Sequence, residues 1–313
     1  NVLTVASQDT IDGNFPTVKS PNPEEPAALE LAIRLAKEKG AKLVMGTDPD
    51  ADRVGIAIPD KLGEFILLNG NQTGSLLINY LVTRWKELGK ISGKEFIAKT
   101  VVTTDLMDKI ALNNGVKVYN TLTGFKHIGA VIRALEGKEQ FIGGGEESYG
   151  YLAGDFVRDK DAVMSCVLIA EMVAWALSNG KDLFDLMQDM YLEHGFYLED
   201  LISITKQGRH GAAEIKAIMD NLRKNTPNSI VGEKVVKFID YLETDKTNLP
   251  QSNVLQFITD KGTKITARPS GTEPKIKFYF SVQHHLQSNS DFYKVKDKLQ
   301  RKIIEIQKEM SLI

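Results

Sequence analysis

Three aspartates stand at alternate positions in residues 46–53, which read GTDPDADR and lie between two apolar runs. Carboxylates on one tight turn can converge on a hard divalent cation without a long detour of the chain. An EF-hand loop has similar spacing, but Arg53 stands where that loop needs a glycine. We therefore predict a divalent-metal site, rather than a solvated acidic turn, formed by Asp48, Asp50 and Asp52.

The same turn also fits two other functions. In phosphatases of the haloacid-dehalogenase type an apolar strand ends in Asp-x-Asp, and residues 44–50 have this form. Asp48 would then be a nucleophile that carries a phosphoryl group. A module that binds sugar phosphates without catalysis is the third possibility, and the residues of this turn alone leave all three open.

A glycine-rich segment at residues 143–150, GGGEESYG, follows directly after another apolar run. Glycines let the backbone approach a ligand closely. The Glu146 carboxylate and the Ser148 hydroxyl offer the acceptor and the donor that sugar hydroxyls require. Taken alone, the pattern fits a sugar site and an ordinary strand-to-helix turn equally well.

Residues 268–275, RPSGTEPK, lie between two strand-like runs and have the composition of a phosphate cradle. The Arg268 guanidinium offers bidentate geometry, and backbone N–H groups near Gly271 are free to turn toward an anion. A plain hairpin turn explains the pair Ser270-Gly271 but not the flanking arginine and Thr272. We predict that this segment binds phosphate.

The composition limits the partners and the compartment. Of 313 residues, 39 are Lys or Arg and 41 are Asp or Glu, so the formal net charge is -2 and no basic field draws the chain to nucleic acid or lipid. A membrane-spanning helix needs an apolar run of about 18 residues, and the sequence contains no run of that length. The single cysteine, Cys166, excludes an intrachain disulfide and favours a reducing compartment. We expect a cytoplasmic protein.

Apolar periodicity shows which elements must position these loops. From about residue 68 to 195, strands alternate with helices, which favours a mostly parallel sheet covered on both faces. Phosphate and sugar ligands usually sit at the carboxyl ends of such strands. After residue 195 the rhythm changes to an α+β pattern with antiparallel strands.

The order of the motifs along the whole chain resembles the α-D-phosphohexomutase superfamily, and most closely its phosphoglucomutase branch. The motifs are, in sequence order, DGNFPT at 12–17, PNPE at 21–24, DPDADR at 48–53, TGFK at 123–126, GEESYG at 145–150 and RPSGTEP at 268–274. The resemblance implies three-layer α/β/α domains with mixed sheets, followed by an α+β domain with an antiparallel sheet. Residues 1–67 would be the later part of domain 2, residues 68–195 domain 3 and residues 196–313 domain 4.

The resemblance also implies roles for individual residues. The three aspartates of the acidic turn would be Mg2+ ligands, and Arg53 would lie beside a phosphoserine. Lys160, in the segment RDKD, is the candidate general acid and base. The residues that would bind the sugar hydroxyls and the non-reacting phosphate of the substrate are Glu146, Ser148, Lys126, Arg268, Ser270, Gly271, Thr272 and Lys277.

The reaction of the family moves a phosphoryl group between O1 and O6 of a hexose phosphate through a bisphosphate intermediate. The implied partners are therefore a hexose phosphate and an activator of the glucose 1,6-bisphosphate type. The phosphate-carrying serine of the family lies in a domain 1 loop that nothing here matches. The segment VASQ resembles that loop only superficially, so Ser7 is not assigned as the phosphate-carrying serine. We expect an N-terminally truncated chain, without domain 1 and the start of domain 2, that has no appreciable mutase activity alone.

Overall fold

The computed structural model describes residues 1–206, 210–271 and 273–313. The chain folds into two compact units, Asn1–Met190 and Tyr191–Ile313. The first unit carries the acidic turn and the glycine-rich segment. The second unit carries the predicted phosphate cradle.

The first unit begins with a small antiparallel sheet that frames the acidic turn. The first element along the chain is a 3-10 turn at Ala6–Gln8. The elements that follow are α1 (Pro26–Lys39), β1 (Val44–Thr47), β2 (Val54–Pro59) and β3 (Phe65–Leu68). The strands pair in the order β1-β2-β3, and α1 packs against β1. The apolar face of α1 meets the strands in a core of Leu29, Ala36, Val44 and Ala57. This packing holds both strands that flank the acidic turn.

The rest of the first unit is a four-stranded sheet with helices. Its elements are α2 (Gly70–Glu87), β4 (Glu95–Thr100), α3 (Leu106–Asn113), β5 (Lys117–Thr121), α4 (Phe125–Leu135), β6 (Gln140–Gly145), β7 (Tyr151–Ala153), α5 (Ala162–Ser178) and α6 (Leu183–His194), which continues into the second unit. The strand order is β5-β4-β6-β7. β4 is parallel to β5 and β6, whereas β7 pairs antiparallel with β6 at the edge. The carboxyl ends of the three parallel strands therefore lie at one edge of the sheet.

Local sequence explains where the helix that follows the small sheet begins. Asn69 caps α2: its side chain accepts from the backbone of Gln72, and the Gln72 side chain accepts from the backbone of Asn69. This reciprocal pair satisfies two N–H groups that a helix start leaves without partners. The start of α2 lies directly against the glycine-rich segment. A Cβ on Gly70 would lie only 1.9 Å from the carbonyl oxygen of Glu147, so this position requires glycine.

The second unit is an antiparallel sheet with two long helices. Its elements are β8 (Phe196–Thr205), α7 (Gly211–Lys224), β9 (Ser229–Ile230), β10 (Glu233–Asp240), α8 (Thr244–Thr247), β11 (Leu255–Thr259), β12 (Lys264–Pro269), β13 (Lys275–His284), a 3-10 turn (Asn289–Asp291) and α9 (Phe292–Glu309). The strand order is β8-β13-β12-β11-β10-β9. α9 buries Phe292, Val295, Leu299, Ile303 and Ile306, the spacing of one helix face.

The predicted fold class is confirmed. Strands and helices alternate around a mixed sheet in the first unit, and an antiparallel sheet follows in the second. Within the described ranges, no single helix is long and apolar enough to cross a membrane, and α5 and α6 reach the required length only as a pair bent by 87°.

Candidate functional site

The acidic turn of residues 46–53, called the metal loop from here on, holds its three carboxylates in one cluster. One oxygen from each of Asp48, Asp50 and Asp52 lies within 4.8 Å of the other two. Asp48 Oδ1 accepts from the backbone N–H groups of Asp52 and Arg53, both at 3.0 Å. The donor set is made of oxygens only, and therefore fits a hard divalent cation.

Charge crowding in the metal loop is visible at its most buried carboxylate. Burial raises the pKa of Asp48 above its ordinary value, and the charges of Asp52 and Asp50 add to the increase. The backbone N–H groups of Arg53 and Asp52 offset part of this effect. A cation bound between these carboxylates would relieve the remaining repulsion.

Two basic side chains, one of them within the loop itself, form ion pairs with carboxylates of the metal loop. Arg53 Nε lies 3.6 Å from Asp52 Oδ1 and 3.8 Å from Asp48 Oδ2, while its Nη1 lies 3.1 Å from Glu24 Oε1. Lys160 Nζ lies 2.6 Å from Asp52 Oδ2. Burial alone would lower the pKa of Lys160, but the hydrogen bond to Asp52 and the nearby negative charges hold it above its ordinary value.

The glycine-rich turn of residues 145–150, called the sugar loop from here on, follows β6. The N–H of Glu146 donates to Gly150 O at 2.9 Å, which closes the turn. Glu146 Oε1 accepts from the N–H of Gly124 at 2.7 Å, so the motif TGFK is joined to the sugar loop. Glu146 is buried and Ser148 is half-buried. Lys126, in the first turn of α4, is exposed.

Contacts with elements distant in sequence fasten the sugar loop to the metal loop. Tyr149, with a φ of 68°, accepts at its carbonyl oxygen from the N–H of Val54, the first residue of β2, at 3.1 Å. The N–H of Ala162 donates to Ala51 O at 3.0 Å, which ties the start of α5 to the metal loop. The first unit therefore brings the aspartates, Arg53, Lys160 and the sugar loop into one neighbourhood.

One group in this neighbourhood was missed by the sequence analysis. Glu147 Oε2 accepts from the hydroxyls of Thr100 and Thr103, each at 3.2 Å, and the two hydroxyls are 2.8 Å apart. Both threonines are fully buried at the carboxyl end of β4. The available signal was hydroxyl residues at a strand end beside a predicted ligand loop, which is where parallel strands place functional groups.

The predicted phosphate cradle, residues 268–275 and called the phosphate loop from here on, is the turn between β12 and β13 in the second unit. The N–H of Ser270 donates to Lys275 O at 2.7 Å, and the N–H of Glu273 donates to Ser270 Oγ at 3.3 Å. Gly271 is exposed, and a Cβ there would meet nothing within 4 Å. Thr272 lies outside the described residues.

Two basic residues beside the phosphate loop share one face of the sheet. Arg268 on β12 is paired directly with Lys277 on β13, and directly opposed residues have side chains on the same face. Both residues are half-buried. This pairing places two positive charges next to the turn, as an anion site requires.

Comparison with known proteins agrees with this arrangement. Residues 1–63 match the family model for phosphoglucomutase/phosphomannomutase, alpha/beta/alpha domain II, and residues 69–194 match that for domain III. A phosphoglucomutase of Staphylococcus haemolyticus is 40% identical over 306 residues, covering 94% of this chain and 55% of that protein. One of Staphylococcus aureus is 40% identical over 289 residues, covering 89% and 51%. The chain spans about half the length of the curated relatives it matches.

Solved structures show the same fold at lower sequence identity. The pp63/parafusin phosphoglucomutase of Paramecium, in its open form, has a TM-score of 0.61 at 19% identity, over 91% of this chain and 51% of that one. A phosphoglucomutase/phosphomannomutase family protein of Burkholderia thailandensis has a TM-score of 0.62 at 18% identity, over 96% and 54%. From its ordered motifs, its fold and these matches, we conclude that the chain belongs to the phosphoglucomutase/phosphomannomutase family of the α-D-phosphohexomutase superfamily.

Proposed function

We propose that this chain is the metal-binding and sugar-phosphate-binding part of a phosphoglucomutase-type phosphohexomutase. Such an enzyme moves a phosphoryl group between O1 and O6 of a hexose phosphate through a bisphosphate intermediate. The observation that carries the proposal is the joining of metal loop and sugar loop within one compact unit, with Lys160 between them. The relatives named phosphoglucomutase support the same activity.

The three aspartates of the metal loop would hold Mg2+, and Arg53 would hold the shape of the loop. Mg2+, when bound, offsets negative charge on a transferring phosphoryl group. Arg53 lies within 3.8 Å of carboxylate oxygens of Glu24, Asp48 and Asp52, so its charge offsets part of their repulsion and holds them in place. It is the residue that we assign to the neighbourhood of the phosphoserine.

The sugar loop would read the hydroxyl groups of the substrate. Glu146 is fixed by Gly124, so its carboxylate is held ready to accept from a sugar hydroxyl. Ser148 would donate or accept beside it, and Lys126 would face the substrate from the start of α4. Lys160 is the candidate for moving the proton of the attacking or leaving hydroxyl.

The phosphate loop would bind the phosphate that does not react. Arg268 and Lys277 supply the positive charge, and Ser270, Gly271 and Thr272 supply the hydroxyl and backbone donors. One such clamp serves both orientations of a bisphosphate, which fits an activator of the glucose 1,6-bisphosphate type.

The competing functions have less support. The haloacid-dehalogenase alternative needs Asp48 as a nucleophile, whereas the matching family models and curated relatives are those of mutases. A label on Asp48 after reaction with an acyl-phosphate donor would favour the phosphatase. A cytoplasmic location and the absence of nucleic-acid and membrane partners remain part of our proposal, on the grounds of charge and the single cysteine.

The proposal is tested by titrating the chain with glucose 6-phosphate while recording backbone amide shifts. We expect residues 268–271 and 273–277 to shift first, because the phosphate carries the charge that these donors recognise. Adding Mg2+ should shift residues 46–53. A phosphate loop that is unperturbed at millimolar ligand would contradict the assignment of this loop.

A further inference from the structure

Both oxygens of Asp52 already have a cation as a neighbour. Oδ2 lies 2.6 Å from Lys160 Nζ, and Oδ1 lies 3.6 Å from Arg53 Nε. The Lys160 side chain is 17% exposed and that of Asp52 27%. A charge-assisted hydrogen bond this short and this shielded is among the stronger polar contacts in a protein. A metal ion that needs an Asp52 oxygen must therefore compete for it.

The fold builds Lys160 into this position. Its stem crosses Gly150 so closely that a Cβ on the glycine would lie 2.4 Å from Lys160 Cδ. The segment that carries Lys160 is tied to the metal loop by the hydrogen bond from Ala162 to Ala51. Lys160 thus lies between the last residue of the sugar loop and a carboxylate of the metal loop.

The two cations at Asp52 are not held equally. Arg53 is also bound to Glu24 and lies near Asp48, so three carboxylates hold it in place. Within the described part of the chain, Asp52 is the only ion-pair partner of the Lys160 ammonium. If one cation must leave Asp52, Lys160 loses fewer contacts than Arg53.

We propose that Lys160 is a displaceable counter-ion of the metal loop: a divalent cation replaces its ammonium on Asp52, and the freed ammonium turns toward the sugar loop. Mg2+ bound to an Asp52 oxygen at about 2.1 Å repels an ammonium held on the same carboxylate, so it weakens the ion pair with Lys160. This inference rests on the proposed function in so far as the three aspartates are the metal ligands. It adds that metal occupancy decides which group Lys160 faces.

The ion pair between Lys160 and Asp52 must then weaken metal binding by the same factor by which bound metal weakens the ion pair. Replacing Lys160 with a neutral side chain of similar length should tighten metal binding. Asp52→Asn should release Lys160 without any metal. Arg158→Met is the matched control, because Arg158 lies in the same segment but pairs with Glu136, at 2.8 Å, outside the metal loop.

The first measurement is Mn2+ binding to the chain, followed by electron paramagnetic resonance. We expect Lys160→Met to bind at least about fivefold more tightly than wild type, the lower end of ordinary couplings between sites. Arg158→Met should change the affinity by less than about twofold, since its charge is already paired elsewhere. Equal affinities of Lys160→Met and wild type would overturn the inference, and so would equal gains in both variants.

The second measurement follows the ammonium itself. Lysine methylation at fixed pH, read by mass spectrometry, should accelerate severalfold at Lys160 when Mg2+ is saturating. Lys117, which pairs with Glu139 away from the loop, should not respond. In Asp52→Asn, Lys160 should react fast with or without Mg2+. A Lys160 rate that ignores Mg2+ in the wild type would contradict the proposal.

The outcomes separate this inference from the proposed function. If neither wild type nor Lys160→Met binds Mn2+, the metal site and the counter-ion both fail. If both bind with the same affinity, the metal site stands and only the counter-ion fails.

Discussion

The metal loop and the phosphate loop are built in different ways. The metal loop is held by partners distant in sequence. Glu24 forms an ion pair with Arg53, and Lys160 forms one with Asp52. The carbonyl oxygen of Tyr149 accepts from the N–H of Val54 in β2.

The phosphate loop is held mainly by its own hairpin: the N–H of Ser270 donates to Lys275 O and the N–H of Glu273 donates to Ser270 Oγ, while one bond, from the N–H of Lys206 to Pro274 O, comes from outside it. The metal loop depends on several elements of its unit, whereas the phosphate loop depends mainly on its own hairpin. A substitution that disturbs the metal loop should therefore affect other parts of its unit, whereas the effect of one in the phosphate loop should stay local.

The largest expected effect is the loss of metal binding on Asp48→Asn. Cation affinity follows the number of charged ligands over several decades, so we expect Mn2+ binding to weaken about a hundredfold. Asp220→Asn removes the same charge from α7 in the second unit, where the Asp220 side chain is 42% exposed and pairs with Lys216, and should leave the affinity unchanged. Calorimetry on the chain measures both variants. An Asp48→Asn affinity within about threefold of wild type would remove Asp48 from the metal site.

The second effect tests how far damage spreads within the first unit. Glu147→Ala leaves the buried hydroxyls of Thr100 and Thr103 without their carboxylate acceptor, which should lower the free energy of unfolding by about 2 kcal/mol. Amide exchange across residues 145–150 should rise together with exchange in the metal loop. Urea unfolding and hydrogen exchange measure these changes.

Glu147→Gln is the matched control, because its amide oxygen can still accept from both hydroxyls. It should retain most of the stability. If Ala and Gln lose the same amount, the effect comes from charge and not from the hydroxyl network.

The sequence made both loops visible, but not the long-range contacts that hold the metal loop and the sugar loop. The metal loop and the phosphate loop were predicted as sites because the residues concerned are contiguous in sequence: alternate aspartates in one, arginine and hydroxyls around a glycine in the other. The Asp52–Lys160 pair and the Glu147 network were not, because their partners meet only through the arrangement of β4, β6 and α5. Sequence spacing carries no record of such distances.

The same distinction holds for the secondary structure. The apolar residues of α9 recur on one helix face, and α5 is apolar over nearly its whole length, so both sequence patterns predict a helix. β7, in contrast, has only three residues, too few to show a periodic pattern. β7 owes its existence to pairing with β6, a contact that no local pattern encodes.

The third effect tests whether the phosphate loop acts alone. Arg268→Lys keeps the charge but loses bidentate geometry, so affinity for glucose 6-phosphate should fall about tenfold. Mn2+ binding should stay at the wild-type level, because the metal loop belongs to the other unit. Arg301→Lys, at an exposed position on α9, is the control and should change neither. A parallel loss of Mn2+ binding in Arg268→Lys would break the contrast between the two loops.

The smallest effect concerns the stability of the second unit. Burial alone would raise the pKa of Glu233, but bonds from Lys302, Thr263 and Thr259 outweigh it and lower the pKa below its ordinary value. A lowered folded-state pKa stabilises the fold above the unfolded-state pKa, and this contribution disappears as pH falls through the folded-state value.

Glu233→Gln should therefore cost about 1 kcal/mol of unfolding free energy at pH 7 and less at pH 3, which is below the ordinary pKa of a glutamate. Urea unfolding at the two pH values measures the difference. A cost that stays the same at both pH values would mean that Glu233 stabilises the unit by packing and not by its charge.

Paramagnetic broadening by Mn2+ tests most directly whether the first unit assembles a metal-centred sugar-phosphate site. We predict that substoichiometric Mn2+ broadens the amide signals of residues 46–53 most, and then those of Gly150 and Lys160, the latter bound to the metal loop and packed against the sugar loop. Asp48→Asn should remove the whole pattern. Broadening centred on any other part of the chain, or a pattern that survives Asp48→Asn, would contradict the account.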